Sequence, residues 1–331
     1  MRPEVFVTFP LPTSAATLLR RVARVRTYRG PQPIPRARLL AGTRDADGLL
    51  CLLTERIDSA LLMRAPKLRA VANCAVGHDN VDLVAAAARH VAVTNTPDVL
   101  TETSADLAFA LMLAAARRVV EGDRLVRSGH WRGWEPDQLL GHDVHGATLG
   151  IVGLGRIGGA VARRARGFGM HILYWNRRRL KRAPAGARYA SLPRLLAAAD
   201  FVTIHVPLAA ATRHLIGARE LARMKRTTIL INTSRGAVID EPALIRALAR
   251  RRIAAAGLDV FEDEPHVPAA LRTLPNVVLT PHVGSATTAT RAAMAMVAAR
   301  NLTATLAGRE PPNRVGTPVP KSRLAASRSR R

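Results

Sequence analysis

The feature that most constrains the fold is a glycine-spaced turn near the middle of the chain. Gly153, Gly155 and Gly158 follow the apolar run LGIV and precede an alanine-rich helical segment. In this strand–turn–helix setting the first glycine permits the tight turn, the second lets the backbone approach a pyrophosphate, and the third lets the helix pack on the strand. The helix N-terminus then offers N–H donors to the phosphates. The sequence therefore predicts a dinucleotide-binding unit here.

Strand-like and helix-like segments alternate through nearly all of the 331 residues. Short apolar runs occur in the first hundred residues and again from residue 149 to residue 279, with helical periodicity between them. This alternation is typical of parallel sheets covered by helices on both faces. We predict an α/β fold of two doubly wound parallel-sheet domains, flavodoxin-like and Rossmann, with an interdomain cleft.

The domain boundaries follow from two long apolar helical segments. Residues 100–120 are apolar on nearly all sides, which predicts one buried helix that links the domains, and residues 286–307 predict a second. Residues 1–100 and 286–331 would form one discontinuous domain, and residues 101–285 would form the dinucleotide-binding domain. After the first of these helical segments, residues 121–146 lack periodicity and hold Trp131 and Trp134. We expect them to form an irregular arm that contacts a partner subunit.

The residues that follow the next strand indicate which dinucleotide binds. An NAD-binding domain carries Asp or Glu about 20 residues after the glycines to hold the ribose 2′-hydroxyl. Here Asn176 occupies that position, and Arg177, Arg178 and Arg179 follow it. Guanidinium groups bind a 2′-phosphate through charge-assisted hydrogen bonds, whereas a carboxylate would repel it. The missing acid favours NADP; the alternative is that these are surface arginines of an arginine-rich chain.

The net charge of the chain is unusual. Lys and Arg total 50 against 24 Asp and Glu, a formal charge of +26. Such an excess raises the expectation of a nucleic-acid partner. The arginines are spread along the whole chain among many alanines, however, which favours a compositional bias over a dedicated binding face. Residues 314–331 hold six basic residues and no acid, and we expect a disordered arm that binds polyanions only non-specifically.

Several other classes of protein are disfavoured. The sequence contains no run of about 18 apolar residues, the length that a transmembrane helix needs. The N-terminal residues do not resemble a secretory signal. Cys51 and Cys74 are too few for a disulfide scaffold, and no Cys/His cluster has metal-binding spacing. We expect a cytoplasmic protein without a metal site or a membrane partner.

Polar segments follow three predicted strands of the second domain. They read INTSRGAVID, LDVFEDEP and TPHVGSAT, and they contribute Arg235, Glu264 and His282. Ligands of open α/β sheets bind beyond the carboxyl ends of the strands, so these segments should face the dinucleotide. An arginine can grip a carboxylate and a carbonyl, and a histidine kept protonated by a neighbouring carboxylate can protonate a developing alkoxide. The set fits hydride transfer to a 2-keto acid.

These segments, together with GLLCLL, VGHDNVD and TPDVLTETSADLAFALML, resemble the D-isomer-specific 2-hydroxyacid dehydrogenases over the chain up to about Val319. Within that family, RSGHWRGWEP and YWNRR are most similar to the glyoxylate/hydroxypyruvate reductases. The resemblance implies reduction of glyoxylate or hydroxypyruvate to glycolate or D-glycerate by NADPH, or NAD in its place, in a homodimer. It also implies that the discontinuous first domain binds the substrate.

The resemblance further implies a role for each site residue. Arg235 would bind the substrate carboxylate and polarise its carbonyl, His282 would be the general acid–base, and Glu264 would pair with that histidine. The substrate would also contact Leu53, Val76 and Gly77, and Trp134 would close the pocket of the other subunit. The cofactor, beside Arg235 and His282, would contact Thr103, Gly153, Leu154, Gly155, Arg156, Ile157, Gly158, Asn176, Arg177, Arg178, Val206, Pro207, Thr233, Ser234, Asp259 and Gly284.

Two alternatives stay open at this point. The first is an NAD-linked member of the same family that acts on another 2-keto acid. The second is a dinucleotide-sensing corepressor or nucleic-acid binder, since the same fold serves transcription in some relatives and the chain is basic. The presence of Arg235, Glu264 and His282 together favours an enzyme, because a sensor has no need of all three.

Overall fold

The computed structural model describes residues 2–184 and 186–316. The chain divides into two compact units. The first comprises Met1–Leu100 and the chain from Thr287 onward, and the second comprises Thr101–Ala286. Each unit has its own sheet and its own apolar core.

The first hundred residues alternate strand and helix. The elements are β1 (Glu4–Val7), α1 (Thr13–Val22), β2 (Arg24–Thr27), α2 (Arg36–Thr43), β3 (Gly48–Cys51), α3 (Ser59–Arg64), β4 (Ala70–Asn73), α4 (Leu83–Ala88) and β5 (Ala92–Thr94). The carboxylates of Asp58 and Asp82 accept hydrogen bonds from the first turns of α3 and α4, and such N-caps fix where these short helices begin.

The second unit opens with two helices and then repeats the same alternation. Its elements are α5 (Thr101–Ala116), α6 (Val119–Arg127), β6 (Thr148–Val152), α7 (Arg156–Gly167), β7 (His171–Trp175), β8 (Arg188–Tyr189), α8 (Leu192–Ala198), β9 (Phe201–Ile204), α9 (Ala218–Leu221), β10 (Ile229–Asn232), α10 (Glu241–Ala249), β11 (Ala255–Leu258), α11 (Ala269–Arg272) and β12 (Val277–Leu279). The chain returns to the first unit through α12 (Thr288–Leu306), which contacts α1, β3 and β4, and ends its described part after β13 (Arg314–Val315).

Both sheets confirm the predicted parallel α/β architecture. The first has the strand order β13-β5-β4-β3-β1-β2, with β1 to β5 parallel, which is the order of flavodoxin-like sheets. The second has the order β12-β11-β10-β9-β6-β7-β8, with every pair parallel, which extends the Rossmann order by one strand. The central strands β3, β4, β9, β10 and β11 are buried throughout, as helices on both faces require.

The prediction of a single helix over residues 100–120 is wrong. The segment divides into α5 and α6 at Arg118, whose backbone is left-handed with φ of 52°. The carbonyl of Ala116 accepts the N–H of His142 at 2.9 Å, so the returning chain caps the end of α5. This distant partner is invisible in the local sequence. The irregular arm is also shorter than predicted, because its first residues belong to the helix over residues 119–127.

Two edge strands complete the first sheet. The segment RVRT is the edge strand β2, which pairs with β1 and alternates between exposed and half-buried residues. Arg314 and Val315, predicted as disordered, form β13 antiparallel to β5, whose outer edge would otherwise expose unpaired backbone groups. The rest of the predicted basic tail, residues 317–331, lies outside the described residues. No helix of the described part is long and apolar enough to cross a membrane.

Candidate active site

The predicted cofactor and catalytic residues of the second unit gather at one edge of its sheet. The glycine turn follows β6, and the segments with Arg235, Asp259 and His282 follow β10, β11 and β12. Since these strands are all parallel, their carboxyl ends meet at the same edge. The sheet therefore brings the glycine turn and the proposed catalytic groups onto one side.

The glycine turn has the geometry that a pyrophosphate needs. Gly153 has φ of 101°, and a side chain there would lie 2.8 Å from the backbone of His205 and Val206. A side chain on Gly158 would overlap the carbonyl of Gly153, so the third glycine permits close packing of α7. A Cβ on Gly155, the N-cap of α7, would instead meet open space within 4 Å in the described part of the chain. This open N-terminus fits the phosphates of a dinucleotide.

The end of β7 holds the glycine turn in place. The side-chain oxygen of Asn176 accepts the N–H of Leu154 at 2.7 Å. Asn176 was predicted only as a residue beside the ribose, so this link to the turn is a finding of the structure. Arg177 and Arg178 follow and are exposed, and neither has a carboxylate within ion-pair distance among the described residues. Both guanidinium groups can therefore take an anion.

The segment after β10 is folded by one buried asparagine. Asn232, 1% exposed, donates from Nδ2 to the carbonyl of Arg235 at 2.9 Å. Its Oδ1 accepts the N–H and the hydroxyl of Ser234, each at 3.0 Å. Between them, the hydroxyl of Thr233 is buried and has no hydrogen-bond partner in the described part of the chain. An unsatisfied buried hydroxyl is costly, and a bound cofactor could supply its partner.

Gly236 brings Arg235 close to Glu264. A side chain on Gly236 would overlap the backbone of Phe261 and Glu262, so only glycine allows the two segments to touch. The N–H of Phe261 donates to Glu264 Oε1 at 3.0 Å, which fixes the carboxylate against the same segment. The charge of Arg235 acts on Glu264 as a result.

Glu264 and His282 form an ion pair, with Nδ1 of the imidazole 2.7 Å from Oε2 of the carboxylate. Burial opposes ionisation of Glu264. The hydrogen bond and charge of His282, the N–H of Phe261 and the charge of Arg235 outweigh it, and together they lower the pKa of Glu264 below its ordinary value. Glu264 is therefore a carboxylate at neutral pH, and its Oε2 lies within hydrogen-bond distance of Nδ1 of the imidazole. Since Nδ1 faces Glu264, Nε2 is the nitrogen left for chemistry.

Asp259 holds the segment that carries His282. Its Oδ1 accepts the hydroxyl of Thr280 at 2.6 Å and the N–H of Val283 at 2.8 Å, and its Oδ2 accepts the N–H of Gly284 at 2.8 Å. Burial raises the pKa of Asp259, and these three bonds and the charge of His282 oppose that rise. His282 itself has φ of 53°, a conformation that costs an L residue energy unless its surroundings impose it. The predicted contact of Asp259 with a nicotinamide stays a prediction.

The remaining cofactor candidates border this group. Gly284 lies beside the hydroxyl of Ser104, next to Thr103 in the first turn of α5, and Arg156 and Ile157 begin α7. Val206 and Pro207 follow β9 beside Gly153. Sequence reasoning missed His205, whose Nε2 lies 2.9 Å from the hydroxyl of Thr203. Burial lowers the pKa of His205 to about 4, so a neutral imidazole adjoins the glycine turn.

The three substrate candidates of the first unit also share a sheet edge. Leu53 follows β3, and Val76 and Gly77 follow β4, its parallel neighbour. The carbonyl of Val76 accepts the amide of Asn95, and that of Gly77 accepts the amide of Asn73, each at 2.8 Å. Sequence reasoning missed both asparagines, which act on backbone groups and carry no motif of their own.

Comparison with known proteins agrees with this geometry. The family model described as "D-isomer specific 2-hydroxyacid dehydrogenase, NAD binding domain" matches residues 109–284. The chain belongs to the D-isomer specific 2-hydroxyacid dehydrogenase family. It is 51% identical over 327 residues to a glyoxylate reductase from Korarchaeum cryptofilum, with 98% of each chain covered. It is 49% identical over 325 residues to one from Thermococcus litoralis, covering 96% of this chain and 98% of the relative.

A solved structure of a relative superposes closely. The NADPH-dependent glyoxylate/hydroxypyruvate reductase of Sinorhizobium meliloti, in complex with NADP and malonate, is 36% identical and gives a TM-score of 0.84, with 96% of this chain and 97% of that chain covered. The prediction of an NAD(P)-dependent oxidoreductase is confirmed, and the glycine turn lies within the residues that the NAD-binding family model matches.

The role of the hydrogen bonds that Asp259 accepts is testable. In Asp259→Asn the side-chain amide places an N–H group against one of the three donors that now bind the carboxylate. That hydrogen bond is lost, so His282 should lose its fixed conformation. We expect turnover to fall about tenfold or more, the effect of losing one hydrogen bond to a charged group. Steady-state kinetics with Thr280→Ser as the matched control, which keeps the hydroxyl, would check this. Unchanged turnover in Asp259→Asn would contradict the role.

Proposed function

We propose that the protein reduces glyoxylate, and hydroxypyruvate as a second substrate, to glycolate and D-glycerate with NADPH. The observation that carries the proposal is the ion pair of Glu264 and His282, with Arg235 close to Glu264, at the sheet edge that holds the glycine turn. Relatives named glyoxylate reductase, about half identical over nearly the whole chain, support the choice of substrate. Initial rates with NADPH and NADH against a panel of 2-keto acids test it.

The mechanism assigns one task to each charged group. Arg235 binds the substrate carboxylate and donates to the keto oxygen, which gains negative charge as the reaction proceeds. NADPH, which the glycine turn would hold, would supply the hydride that reduces the keto carbon. His282 gives the proton on Nε2 to the oxygen, because its Nδ1 faces Glu264. Glu264 stays ionised and stabilises the protonated imidazole until that transfer.

The substrate residues of the first unit complete the assignment. We assign further substrate contacts to backbone donors near Val76 and Gly77 and to the side chain of Leu53. A small keto acid offers a carboxylate, a carbonyl and little else, so specificity depends on charge and hydrogen bonds more than on apolar area. A pure dinucleotide sensor would not need the Arg235, Glu264 and His282 set, which is why the corepressor alternative ranks below both enzyme hypotheses.

His282 provides the sharpest test of this mechanism. His282→Ala should lower turnover by about 10²–10⁴-fold, the usual effect of losing a general acid. NADPH binding, followed by the quenching of tryptophan fluorescence, should stay close to that of the wild type. Near-normal turnover would show that another group supplies the proton.

Glu264 should set the pH dependence. In Glu264→Gln the protonated imidazole loses its carboxylate partner, so the profile of kcat/KM against pH should move toward lower pH. In the wild type, the lowered pKa of Glu264 means that its carboxylate is ionised above the pKa of an unfolded glutamate, about 4.3, and that the stability this carboxylate contributes is lost as the pH falls through the folded value. A profile that does not move would exclude Glu264 as the partner that tunes His282.

The cofactor preference follows from Asn176, Arg177 and Arg178. We assign the two exposed guanidinium groups to the 2′-phosphate of NADPH. Replacing both arginines with alanine, with Asn176→Asp added, should invert the preference in favour of NADH, since Asp keeps an acceptor for the N–H of Leu154 and adds the ribose-binding carboxylate. The ratio of kcat/KM for the two cofactors measures it, and Arg166→Ala, at the far end of α7, is the matched control. Equal use of NADH by the wild type would refute the assignment.

The arm and α6 form the face that we assign to a homodimer. Large apolar side chains are exposed on this segment: Val119 by 54%, Val126 by 58%, Trp131 by 52%, Trp134 by 82% and Leu140 by 68%. So much exposed apolar area in 22 consecutive residues is typical of an interface. We assign Trp134 to the substrate pocket of the partner subunit.

Light scattering tests this assembly. The species in solution should have a mass of about 71 kDa, twice the 35.6 kDa of the chain, since two-fold dimers are the commonest oligomers. Val126→Asp should yield a monomer, whereas Met63→Asp, at a residue 64% exposed outside this segment, should not. A monomeric wild type would remove both the dimer and the shared role of Trp134.

A further inference from the structure

A polar network in the first unit joins the two segments that carry its substrate candidates. One segment is residues 52–55, after β3, and the other is residues 74–80, after β4. Asn80 lies at the centre of the network. Its Nδ2 donates to the carbonyl of Leu52 at 3.2 Å and to that of Glu55 at 2.9 Å, and it also lies 3.3 Å from Oδ1 of Asn73.

Asn73 carries the connection into the second segment. It is the last residue of β4, is fully buried, and donates from Nδ2 to Oδ1 of Asn80 at 3.2 Å and to the carbonyl of Gly77 at 2.8 Å. Asn95 fixes the carbonyl of Val76 in the same way. Because the carbonyl and the N–H of a trans peptide point in opposite directions, these bonds orient the N–H groups of Gly77 and His78 away from the side-chain amides.

The buried carboxylate of Glu55 binds the first segment, residues 52–55. Glu55 is 2% exposed and accepts the hydroxyl of Thr54 at 2.9 Å, the hydroxyl of Thr8 at 3.2 Å and the N–H of Leu52. Among the described residues no lysine or arginine lies within ion-pair distance of it. A buried carboxyl group needs hydrogen-bond partners, and these three bonds supply them and fix residues 52–55 around it. Asn80 therefore attaches residues 74–80 to a rigid support.

We propose that Asn80 is a positioning residue that, through Asn73, aims the N–H groups of Gly77 and His78 at the substrate carboxylate. The inference rests on the proposed function, and it adds His78 to the backbone donors and Asn80 and Asn73 to the residues that set substrate affinity. Asn80 itself does not touch the substrate. Its loss weakens the grip on the carboxylate and leaves hydride and proton transfer intact.

The experiment compares Asn80→Ala with a matched control. Asn276→Ala removes a half-buried asparagine of the second unit that also donates to two backbone carbonyls, those of Leu248 and Ala254. For Asn80→Ala we expect the KM for glyoxylate to rise about tenfold or more, with kcat within about threefold and the KM for NADPH unchanged. For Asn276→Ala we expect no change in any of the three.

Binding of malonate to the NADPH-loaded full-length protein, measured by calorimetry, gives a readout that does not depend on turnover, and its affinity should fall by the same factor in Asn80→Ala. If that variant does not fold, Asn80→Asp, which keeps the size but loses the donor, is measured instead. An unchanged KM for glyoxylate, or equal losses in both asparagine variants, overturns the inference. A wild type that reduces no 2-keto acid overturns the proposed function instead, and malonate binding still tests the donors.

Discussion

The geometry of the candidate site depends on the buried carboxylate of Asp259. It accepts three hydrogen bonds from the residues on both sides of His282, and its backbone carbonyl accepts a fourth from His282 itself at 2.8 Å. A left-handed backbone costs an L residue about 1–2 kcal/mol, and these bonds offset that cost. Without this grip, the imidazole would not be directed at Glu264, and the ion pair that lowers the pKa of Glu264 would be lost.

Both units use one device to shape the segments that follow their strands. Asn73 ends β4 and Asn232 ends β10, and both are buried. Each side-chain amide donates to a backbone carbonyl three or four residues later, that of Gly77 in the first unit and that of Arg235 in the second. An asparagine suits this place because it offers donors and an acceptor without a charge to bury. The strand supplies the rigid support, and the amide transfers that rigidity to the segment that would bind a ligand.

The sequence alone predicted what depends on local pattern. The glycine spacing located β6, the glycine turn and α7 closely, and the polar segments after β10, β11 and β12 pointed to Arg235, Glu264 and His282. What it could not predict depends on partners distant in the chain. The break between α5 and α6 reflects the N–H of His142, which binds the carbonyl of Ala116. Thr280 and Asn80 lie within TPHVGSAT and VGHDNVD, and Asn73 lies in no quoted motif. None of the three was singled out, because each acts on a backbone group or on another side chain.

The position of each arginine, more than the total charge, decides its function. Arg163 and Arg164 of α7 are bound to Glu102 and Asp106 of α5, so their charge is neutralised locally and joins two helices. Arg177 and Arg178 lie a few residues beyond the same βα unit, at the end of β7, with no such carboxylate among the described residues. An exposed ion pair contributes little to stability, whereas an exposed guanidinium without a carboxylate retains its full affinity for an anion. In a chain of charge +26, we therefore assign cofactor choice to Arg177 and Arg178, whose guanidinium groups have no carboxylate partner in the described part of the chain.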